Sequence, residues 1–351
     1  MKSHFRPAID ALAGYTPGEQ PKMNRLVKLN TNENPYPPSP RIAEALGAFA
    51  LEKLHRYPDP TADALRDDIA ARCGVKRENV ICGNGSDDLL TMIFRSFTDP
   101  KRPVAVLDPS YSLYPVLAAM QEAPVIRMPL DPETFELRRP LAELAKGANL
   151  VMLTRPNAPT GNSLPRAEVE RFCAAFDGIV AIDEAYADFA DDNCMEFAAK
   201  YDNVLVLRTF SKSYSLAGLR LGFAVGNAAL IDGLMKLKDS YNVDMLTQVV
   251  GRAAFADTET LAAHTSAIRA TKARLVTELE KLGFTIIPSQ SNFLFASPAD
   301  GDGERVFTEL RRNAVIVRYF PGKVTGRFIR ITVGTDAEID RLLEVLREER
   351  R

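Results

Sequence analysis

The sequence of 351 residues has few of the residues from which metal sites and disulfide scaffolds are built. It contains three histidines and four cysteines. The cysteines show neither the CxxC spacing of a zinc site nor the density of a disulfide-stabilised domain, and the histidines are scattered. We therefore expect buried free thiols and no metal centre.

Excess charge and long apolar runs are missing as well. The 44 Lys and Arg residues nearly balance the 46 Asp and Glu residues, so no broad basic surface is expected to hold nucleic acid. No apolar run approaches the roughly 20 residues of a membrane span, and the opening MKSHFRPAID lacks the apolar core of a signal peptide. These absences predict a cytoplasmic protein that binds neither nucleic acid nor membrane, and whose charged partners are small molecules.

The middle of the chain alternates short β-branched runs, such as NLVMLTRPN, GIVAIDEAY and NVLVLRTFSK, with helical stretches. This alternation is typical of an α/β fold with a mostly parallel sheet that is flanked by helices. A long helix is expected from about Ala262 to Gly283. The length favours two units, and we predict an extended, proline-rich N-terminal arm over 1–40, a large α/β domain over 41–255 and a smaller α+β domain over 256–351.

Two chemically useful side chains follow predicted strands of this sheet. Lys212 comes just after the strand Val204–Arg208, and Asp183 follows the strand Ile179–Ile182. Ligands of such sheets bind at the carboxyl ends of the strands. Taken alone, Lys212 would be an ordinary solvated lysine, but a carboxylate after an apolar run needs a cationic partner. Pyridoxal phosphate offers a pyridinium nitrogen to the carboxylate and an aldehyde to the lysine.

The phosphate of such a cofactor would need its own binding site. ICGNGSDDLL runs from a short strand through Gly83 and Gly85 into a helix, with Ser86 or Asp87 expected at the cap. Helix N-terminal amides bind dianions, although an ordinary glycine turn fits this motif equally well. In TFSKSYSLAGLRLG, Ser211 and Arg220 could complete a phosphate site, and a surface ion pair is the alternative for Arg220.

The order of motifs along nearly the whole chain resembles the fold-type I pyridoxal-phosphate aminotransferases, and within them the histidinol-phosphate aminotransferase family. The motifs that carry this resemblance are GYTPG, LNTNENPYPPSP, YPDP, GNGSDDLL, DPSYSLYP, RPNAPTG, DEAYADF, TFSKSYSLAGLRLG and IRITVG. Each would be weak alone, but they occur in the family's order and at similar spacings.

The resemblance implies a role for each matching residue around the cofactor. Lys212 would form the Schiff base, Asp183 would contact the ring nitrogen, and Tyr186 would donate to the ring hydroxyl. Tyr111 would stack on the ring, for which a core aromatic is the alternative. A homodimer with shared active sites is also implied. The remaining cofactor positions are those of the phosphate site, with Tyr57 reaching in from the neighbouring subunit: Gly85, Ser86, Asp87, Ser211, Arg220 and Tyr57.

The resemblance further implies substrates and the residues that bind them. Histidinol phosphate would donate its amino group to 2-oxoglutarate in ping-pong order. Arg330 would grip a carboxylate or phosphate, and Arg318 would form a second anion site, unless these arginines face outward from their strands. Tyr15 would line the imidazole side, and Asn34 is a further candidate for substrate binding.

One position departs from the family pattern. Ala158 stands where the family usually has an asparagine that donates to the ring hydroxyl, so either Asn157 is a replacement after a local shift or Tyr186 makes that contact alone. Three other functions stay open: an aromatic amino-acid aminotransferase, a threonine-phosphate decarboxylase, and a cofactor-binding regulatory module fused to a DNA-binding domain. The last is disfavoured because the motifs begin near residue 10 and leave no room for such a domain.

Overall fold

The computed structural model describes residues 3–22 and 25–348. Within these ranges a seven-stranded mixed sheet is flanked by helices, and a four-stranded antiparallel sheet lies nearer the C-terminus. The strands are β1 (Val27–Lys28), β2 (Val80–Gly83), β3 (Val104–Asp108), β4 (Val125–Pro129), β5 (Leu150–Thr154), β6 (Ile179–Asp183), β7 (Val204–Thr209), β8 (Gly222–Gly226), β9 (Thr285–Ile287), β10 (Phe293–Ser297), β11 (Val315–Ile316), β12 (Arg318–Tyr319) and β13 (Ile329–Thr332).

The helices connect and cover these sheets. They are α1 (Pro7–Asp10), α2 (Arg41–Gly47), α3 (Asp63–Cys73), α4 (Ser86–Phe97), α5 (Leu113–Met120), α6 (Leu141–Leu144), α7 (Arg166–Ala175), α8 (Phe197–Lys200), α9 (Ala228–Met235), α10 (Met245–Ala256), α11 (Thr258–Lys281), α12 (Gly303–Arg312) and α13 (Asp336–Glu348). The predicted C-terminal helix is thus present, and its expected last residues, 349–351, lie outside the described residues. No helix in the described part of the chain is long and apolar enough to cross a membrane.

The large sheet has the strand order β2-β8-β7-β6-β5-β3-β4. The pairings among β3 to β7 are parallel, whereas β8 runs antiparallel to both β7 and β2. The predicted mostly parallel sheet is therefore confirmed, with an antiparallel edge. Along β5, Leu150 and Met152 pack into the apolar cluster on one face, while Val151 and Leu153 pack into the cluster on the other. This strand is buried on both faces, as its unbroken apolar run indicates.

The small sheet has the order β12-β13-β10-β9, and its apolar cluster includes side chains from α11, α12 and α13. Strand β1 lies within the predicted arm but pairs in parallel with β11, which ties the arm to the C-terminal third of the chain. This pairing was not predicted. The domain bounds at 40/41 and 255/256 stay predictions, and residues 1–2 and 23–24 of the arm lie outside the described residues.

The long helix α11 begins earlier than the sequence pattern indicates. Asp257 caps it by accepting a hydrogen bond from Thr260 N at 3.1 Å, so the helix starts at Thr258 rather than near Ala262. The predicted C-terminal glycine is confirmed, because Gly283 has a φ of +67° just past the helix end. The cysteines are free, as expected; Cys82, Cys173 and Cys194 are buried, whereas Cys73 is only partly so.

Candidate active site

A cavity of about 300 Å³ opens at the carboxyl ends of β5, β6 and β7. This is the edge where the connections of a parallel sheet leave room for a ligand. The cavity also receives residues of the arm, of the N-terminal end of α4, and of β12 and β13. Most of the predicted site residues line it, namely Tyr15, Ser86, Asp87, Tyr111, Asp183, Tyr186, Ser211, Lys212, Arg220, Arg318 and Arg330.

Lys212 extends into this cavity from the loop after β7. Its Nζ donates a hydrogen bond to the carbonyl oxygen of Thr31 at 3.0 Å. Burial, reinforced by the positive charge of Arg330, lowers the pKa of Lys212 to about 8, although Glu33 opposes the shift. About a tenth of this amine is therefore neutral at pH 7, far more than in an ordinary lysine, as a nucleophile or proton acceptor requires.

Asp183 is the last residue of β6, and its side chain is buried. The hydroxyl of Tyr114 donates to Oδ2 at 2.7 Å, and the backbone N–H of Ala185 donates to Oδ1 at 3.1 Å. Burial raises the pKa of Asp183 to about 6 despite these hydrogen bonds. Because Asp183 forms no salt bridge with any described residue, its charge lacks a counterion within the chain. A bound cationic group would relieve that cost.

A segment of the arm, residues 30–34, which we call the 30–34 strap, connects several of these side chains. Two backbone carbonyls of the strap accept hydrogen bonds from cationic side chains. The oxygen of Asn30 accepts a hydrogen bond from Arg330 Nη2 at 2.9 Å, and that of Thr31 accepts the bond from Lys212. Two cationic side chains of the cavity are therefore held by adjacent peptide groups.

The strap also contributes two asparagine side chains. Asn32 Nδ2 donates to the hydroxyl of Tyr186 at 2.9 Å. Asn34 Nδ2 donates to the carbonyl oxygen of Ser213 at 3.1 Å, so this side chain fixes the loop that carries Lys212 and does not line the cavity. The substrate role predicted for Asn34 thus receives no support from its position.

The helix α4 begins at the opposite end of the cavity. Its N-cap is Gly85 at a φ of +80°, so the prediction of Ser86 or Asp87 as the cap was wrong, and both open the first turn instead. A Cβ atom at position 85 would lie 2.6 Å from Arg220 Nη2, which makes glycine necessary for this close approach. Arg220 also reaches Ser211 Oγ at 3.4 Å and Asp87 Oδ2 at 3.3 Å. Helix amides, a hydroxyl and a guanidinium thus converge, as an anion site requires.

Arg330 lies on β13 between two aromatic rings. Its Cζ is 5.1 Å from the ring centroid of Phe293 and 5.2 Å from that of Phe320. Its Nε is buried and has no hydrogen-bond partner among the described residues. The guanidinium of Arg330 also lines the cavity, where a planar cationic donor is suited to an anionic ligand.

Arg318 lies beside Arg330 on the neighbouring strand β12 and faces the same cavity. Its guanidinium donates to the carbonyl oxygens of Thr16 and Pro17 at 3.1 and 3.2 Å, so it also holds the arm. Neither arginine is the outward-facing, solvated residue that the strand pattern left open.

Two tyrosines form the aromatic wall of the cavity. The rings of Tyr15 and Tyr111 meet edge to face with their centroids 5.8 Å apart. The hydroxyl of Tyr111 donates to Asp87 Oδ1 at 3.3 Å. Tyr111 is therefore partly exposed to the cavity rather than enclosed in the core, and a planar ligand could contact it.

Asn157 is close to the cavity but does not line it. Its Nδ2 hydrogens are donated to Pro109 O at 3.0 Å and to Thr160 Oγ1 at 2.8 Å. Ala158 faces the cavity in its place. This geometry argues against Asn157 as a substitute for the missing amide.

Tyr57 lies away from the cavity. It is 77% exposed, and its ring stacks face to face on that of Tyr241, with centroids 4.3 Å apart and an interplanar angle of 7°. It does not line the cavity of its own chain, so its predicted role refers to a site on a second copy.

Two residues of the site escaped sequence reasoning. Tyr114, which donates to Asp183, lies in the quoted motif DPSYSLYP, but an apolar ring in a helix is usually a core residue. Asn32 lies in LNTNENPYPPSP, and its contact with Tyr186 joins residues 154 positions apart. Motif membership was the only available signal for either, because no local pattern encodes such a contact.

Comparison with known proteins identifies a family that matches most of the chain. The family model for aminotransferase class I and II matches residues 24–346. A histidinol-phosphate aminotransferase of Microcystis aeruginosa is 42% identical over 98% of this chain and 97% of its own length. Histidinol-phosphate aminotransferase 2 of Thiobacillus denitrificans is 44% identical, again over 98% and 97%.

A solved structure is similar over the same extent. The histidinol-phosphate aminotransferase from Sinorhizobium meliloti, in complex with pyridoxal-5'-phosphate, superposes with a TM-score of 0.89 at 26% identity and covers 99% of both chains. The likeness thus extends over the whole fold and is not limited to the cavity. The chain belongs to the aminotransferase class I and II family and, within it, to the histidinol-phosphate aminotransferases.

Proposed function

We propose that this enzyme transfers the amino group of histidinol phosphate to 2-oxoglutarate with pyridoxal phosphate as its cofactor. The observation that carries the proposal is the juxtaposition of Lys212, whose pKa is lowered, with Arg330 and Arg318 in one cavity. An enzyme that acts on a substrate with an amine and a phosphate needs a reactive amine and anion-binding side chains, and this cavity contains both. The names of the relatives agree with this substrate.

The residues of the cavity fit the cofactor. Asp183 is a buried carboxylate without a counterion in the described chain, which suits a pyridinium nitrogen. The N-terminal end of α4, with Ser211 and Arg220, suits a phosphate dianion, and Gly85 leaves the space that Arg220 occupies. When bound, pyridoxal phosphate supplies a carbonyl that condenses with amines and an electron-poor ring that delocalises the electron pair left by loss of an α-proton.

Lys212 would move the proton. Burial and Arg330 lower the pKa of Lys212 to about 8, so its Nζ can accept the α-proton of the amino donor and then return that proton to a carbon of the cofactor. The carbonyl of Thr31 holds Nζ in the resting cavity at 3.0 Å. Displacement of that hydrogen bond would free the amine to act on the substrate.

Arg330 and Arg318 would select the substrates. The guanidinium of Arg330 lines the cavity and is suited to bind a phosphate or the α-carboxylate of glutamate. Arg318 would bind the phosphate together with Arg330, or the distal carboxylate of glutamate. As a donor, phenylalanine carries one anionic group and would engage Arg330 alone, whereas the phosphate dianion of histidinol phosphate can engage both arginines.

The proposal includes a homodimer in which Tyr57 of one chain reaches the phosphate site of the other. The exposure of Tyr57 supports it, together with the exposure of Leu51 at 70% and Leu54 at 49% on the adjacent turn. A cluster of exposed apolar side chains of this kind marks a surface that another protein covers.

The test is a comparison of substrates and variants. We expect kcat/KM for histidinol phosphate to exceed that for phenylalanine. Lys212→Ala should abolish the visible absorbance of the loaded protein and lower its activity at least about a hundredfold. Arg318→Ala should weaken histidinol phosphate and glutamate by roughly 2–5 kcal/mol in transition-state binding but phenylalanine much less.

Arg139→Ala provides the matched control for a lost arginine, because Arg139 is exposed and lies outside this cavity. Faster turnover of phenylalanine or tyrosine, with a neutral Arg318→Ala, would replace this proposal with an aromatic amino-acid aminotransferase. A normally coloured and active Lys212→Ala variant would remove the assignment of the lysine.

A further inference from the structure

The hydroxyl of Tyr186 is an acceptor in this structure, and its own hydrogen is unused. Asn32 Nδ2 donates to it at 2.9 Å, and no described residue accepts a hydrogen bond from it. A phenol oxygen can accept and donate at once. The hydrogen of Tyr186 is therefore available to a ligand, and the oxygen's position is set by Asn32.

The orientation of the Asn32 amide follows from the hydrogen bonds around it. Thr332 Oγ1 accepts the backbone N–H of Asn32 at 3.0 Å, so its hydroxyl hydrogen is free to be donated to Asn32 Oδ1 at 3.1 Å. With Oδ1 facing Thr332, the NH₂ group must face Tyr186. The direction of the Asn32 to Tyr186 bond is thus determined by the network and not by an arbitrary choice of amide rotamer.

Asn32 itself is held rigidly. It is 1% exposed, and its carbonyl oxygen accepts a hydrogen bond from Asn292 Nδ2 at 3.0 Å. Its φ of +56° lies in the left-handed region, which asparagine tolerates better than most residues. The 30–34 strap and β13 together therefore present one amide donor at a fixed point beside Tyr186.

The Tyr186 ring packs among apolar side chains, with Lys212 Nζ 5.8 Å from its centroid. It packs in a cluster that includes Ala158, Phe293 and Val333, and its ring meets that of Phe293 edge to face at 5.1 Å. Ala158 contributes a methyl group to this cluster, and a methyl group cannot form a hydrogen bond. Asn32 is thus the side chain that fixes the tyrosine hydroxyl.

We propose that Asn32 is a positioning residue that holds the Tyr186 hydroxyl so that its hydrogen is donated to the ring oxygen of pyridoxal phosphate, in a site where Ala158 offers no donor. The inference rests on the proposed function, because the cofactor must bind beside Tyr186. Accepting a hydrogen bond from Asn32 also makes the tyrosine a stronger donor, since consecutive hydrogen bonds polarise one another.

Absorbance titration of the protein loaded with pyridoxal phosphate tests this role without an activity assay. A hydrogen donated to the ring oxygen stabilises its negative charge, so loss of that donor makes the bound chromophore hold its proton more tightly. The pH midpoint of the visible band should therefore rise. We expect Tyr186→Phe to raise it by about one pH unit, because a full hydrogen bond to a charged oxygen is lost.

Two Asn32 variants separate orientation from shape. Asn32→Asp keeps the size and the tolerance for positive φ but offers an oxygen, which turns the Tyr186 hydrogen away from the cofactor, so its midpoint shift should approach that of Tyr186→Phe. Asn32→Gly keeps the backbone conformation and removes the amide, and should raise the midpoint by roughly half as much. In the Tyr186→Phe background the uncharged substitution Asn32→Gly should not shift the midpoint further.

Asn203→Ala is the matched control, because it removes an asparagine whose amide donates to the carbonyl oxygens of Phe176 and Gly178, outside the network around Tyr186. It should lower thermal stability and leave the midpoint unchanged. Midpoints unmoved by both Asn32 variants, or moved equally with and without the Tyr186 hydroxyl, would overturn the inference alone. A wild-type protein that takes up no pyridoxal phosphate and shows no visible band would overturn the proposed function, and this inference with it.

Discussion

Asp183 illustrates a conflict between stability and function at the scale of one residue. Its buried carboxylate has hydrogen bonds from Tyr114 and Ala185, yet its pKa is raised to about 6 because desolvation outweighs them. The carboxylate is therefore a net cost to the cofactor-free protein at neutral pH. A cationic ring nitrogen would convert that cost into cofactor affinity.

Asp183→Asn should stabilise the cofactor-free protein while it removes most turnover of the loaded enzyme. The folded pKa of about 6 lies above the ordinary 3.8, so the stability associated with protonated Asp183 is full below the unfolded pKa and is lost as pH rises through 6. A shift of about two units corresponds to at most about 3 kcal/mol. Urea unfolding at pH 8 should show this gain, and the gain should shrink towards pH 5.

Asp257→Asn is the control, for which the opposite change in the free energy of unfolding is expected. Hydrogen bonds from Ser39 and Thr260 lower the pKa of Asp257 to about 2, so its ionised form stabilises the fold above the unfolded pKa. Its amide variant should be less stable than the wild type at pH 8. If Asp183→Asn were also destabilising at pH 8 and showed no dependence on pH, its carboxylate would not carry the desolvation cost.

The sequence predicted those site residues that follow strands or lie in compact motifs. Lys212 and Asp183 could be placed because parallel strands bring their carboxyl ends to one edge. The contacts of Tyr114 with Asp183 and of Asn32 with Tyr186 could not, since they span 69 and 154 positions and depend on how the arm and α5 pack. Asn157 was a candidate only because it is adjacent to Ala158, and its amide is used within its own loop.

At the scale of elements, the start of α4 depends on a glycine, a residue without a side chain. Gly85 caps the helix in a conformation that favours glycine, and the guanidinium of Arg220 lies where a Cβ atom would be. The prediction of a Ser86 or Asp87 cap followed general preferences, which do not account for a neighbouring element pressed against the turn. The close packing leaves the first amides of α4 unobstructed beside Arg220.

Gly85→Ala should weaken pyridoxal phosphate binding by about tenfold or more. The new methyl group would displace Arg220, and a backbone at φ +80° and ψ 168° costs a residue with a Cβ roughly 1–3 kcal/mol. Fluorescence titration of the cofactor-free protein would measure the Kd. Gly218→Ala is the matched control, because a Cβ there meets nothing within 4 Å. Equal affinities for the two variants would mean that the α4 corner does not bind the phosphate.

Elements with strong patterns were predicted well, and short ones were not. The apolar runs of β5, β6 and β7 identified them because buried parallel strands leave few polar positions. The two-residue pairing of β1 with β11 leaves no periodic pattern at all. The start of α11 was placed too late because the capping contact of Asp257 with Thr260 precedes the apolar stripe from which the helix was inferred.

At the scale of the whole molecule, the active site joins distant parts of one chain. The arm provides the 30–34 strap, the large sheet provides Lys212 and Asp183, and β13 provides Arg330. The cavity therefore forms only when these three regions of the chain pack together. Tyr57, by contrast, faces solvent, and its stacking on Tyr241 fixes the ring at the surface. In the proposed homodimer, a tyrosine held in this way would be preorganised to enter a site on the other copy.

Mixed dimers test whether Tyr57 acts across an interface. Lys212→Ala chains lack the amine, and chains with Tyr57 replaced severely enough to inactivate lack the phosphate contact. If each site combines Lys212 of one chain with Tyr57 of the other, a hybrid dimer has one site with both defects and one intact site. Mixing the two inactive proteins should therefore restore up to about half of the wild-type activity per hybrid, measured by transamination after subunit exchange. Exchange is verified independently by mass spectrometry of differently tagged chains. Persistent inactivity after proven exchange would place Tyr57 and Lys212 in the same chain's site, or make Tyr57 purely structural, because neither arrangement leaves an intact site in the hybrid.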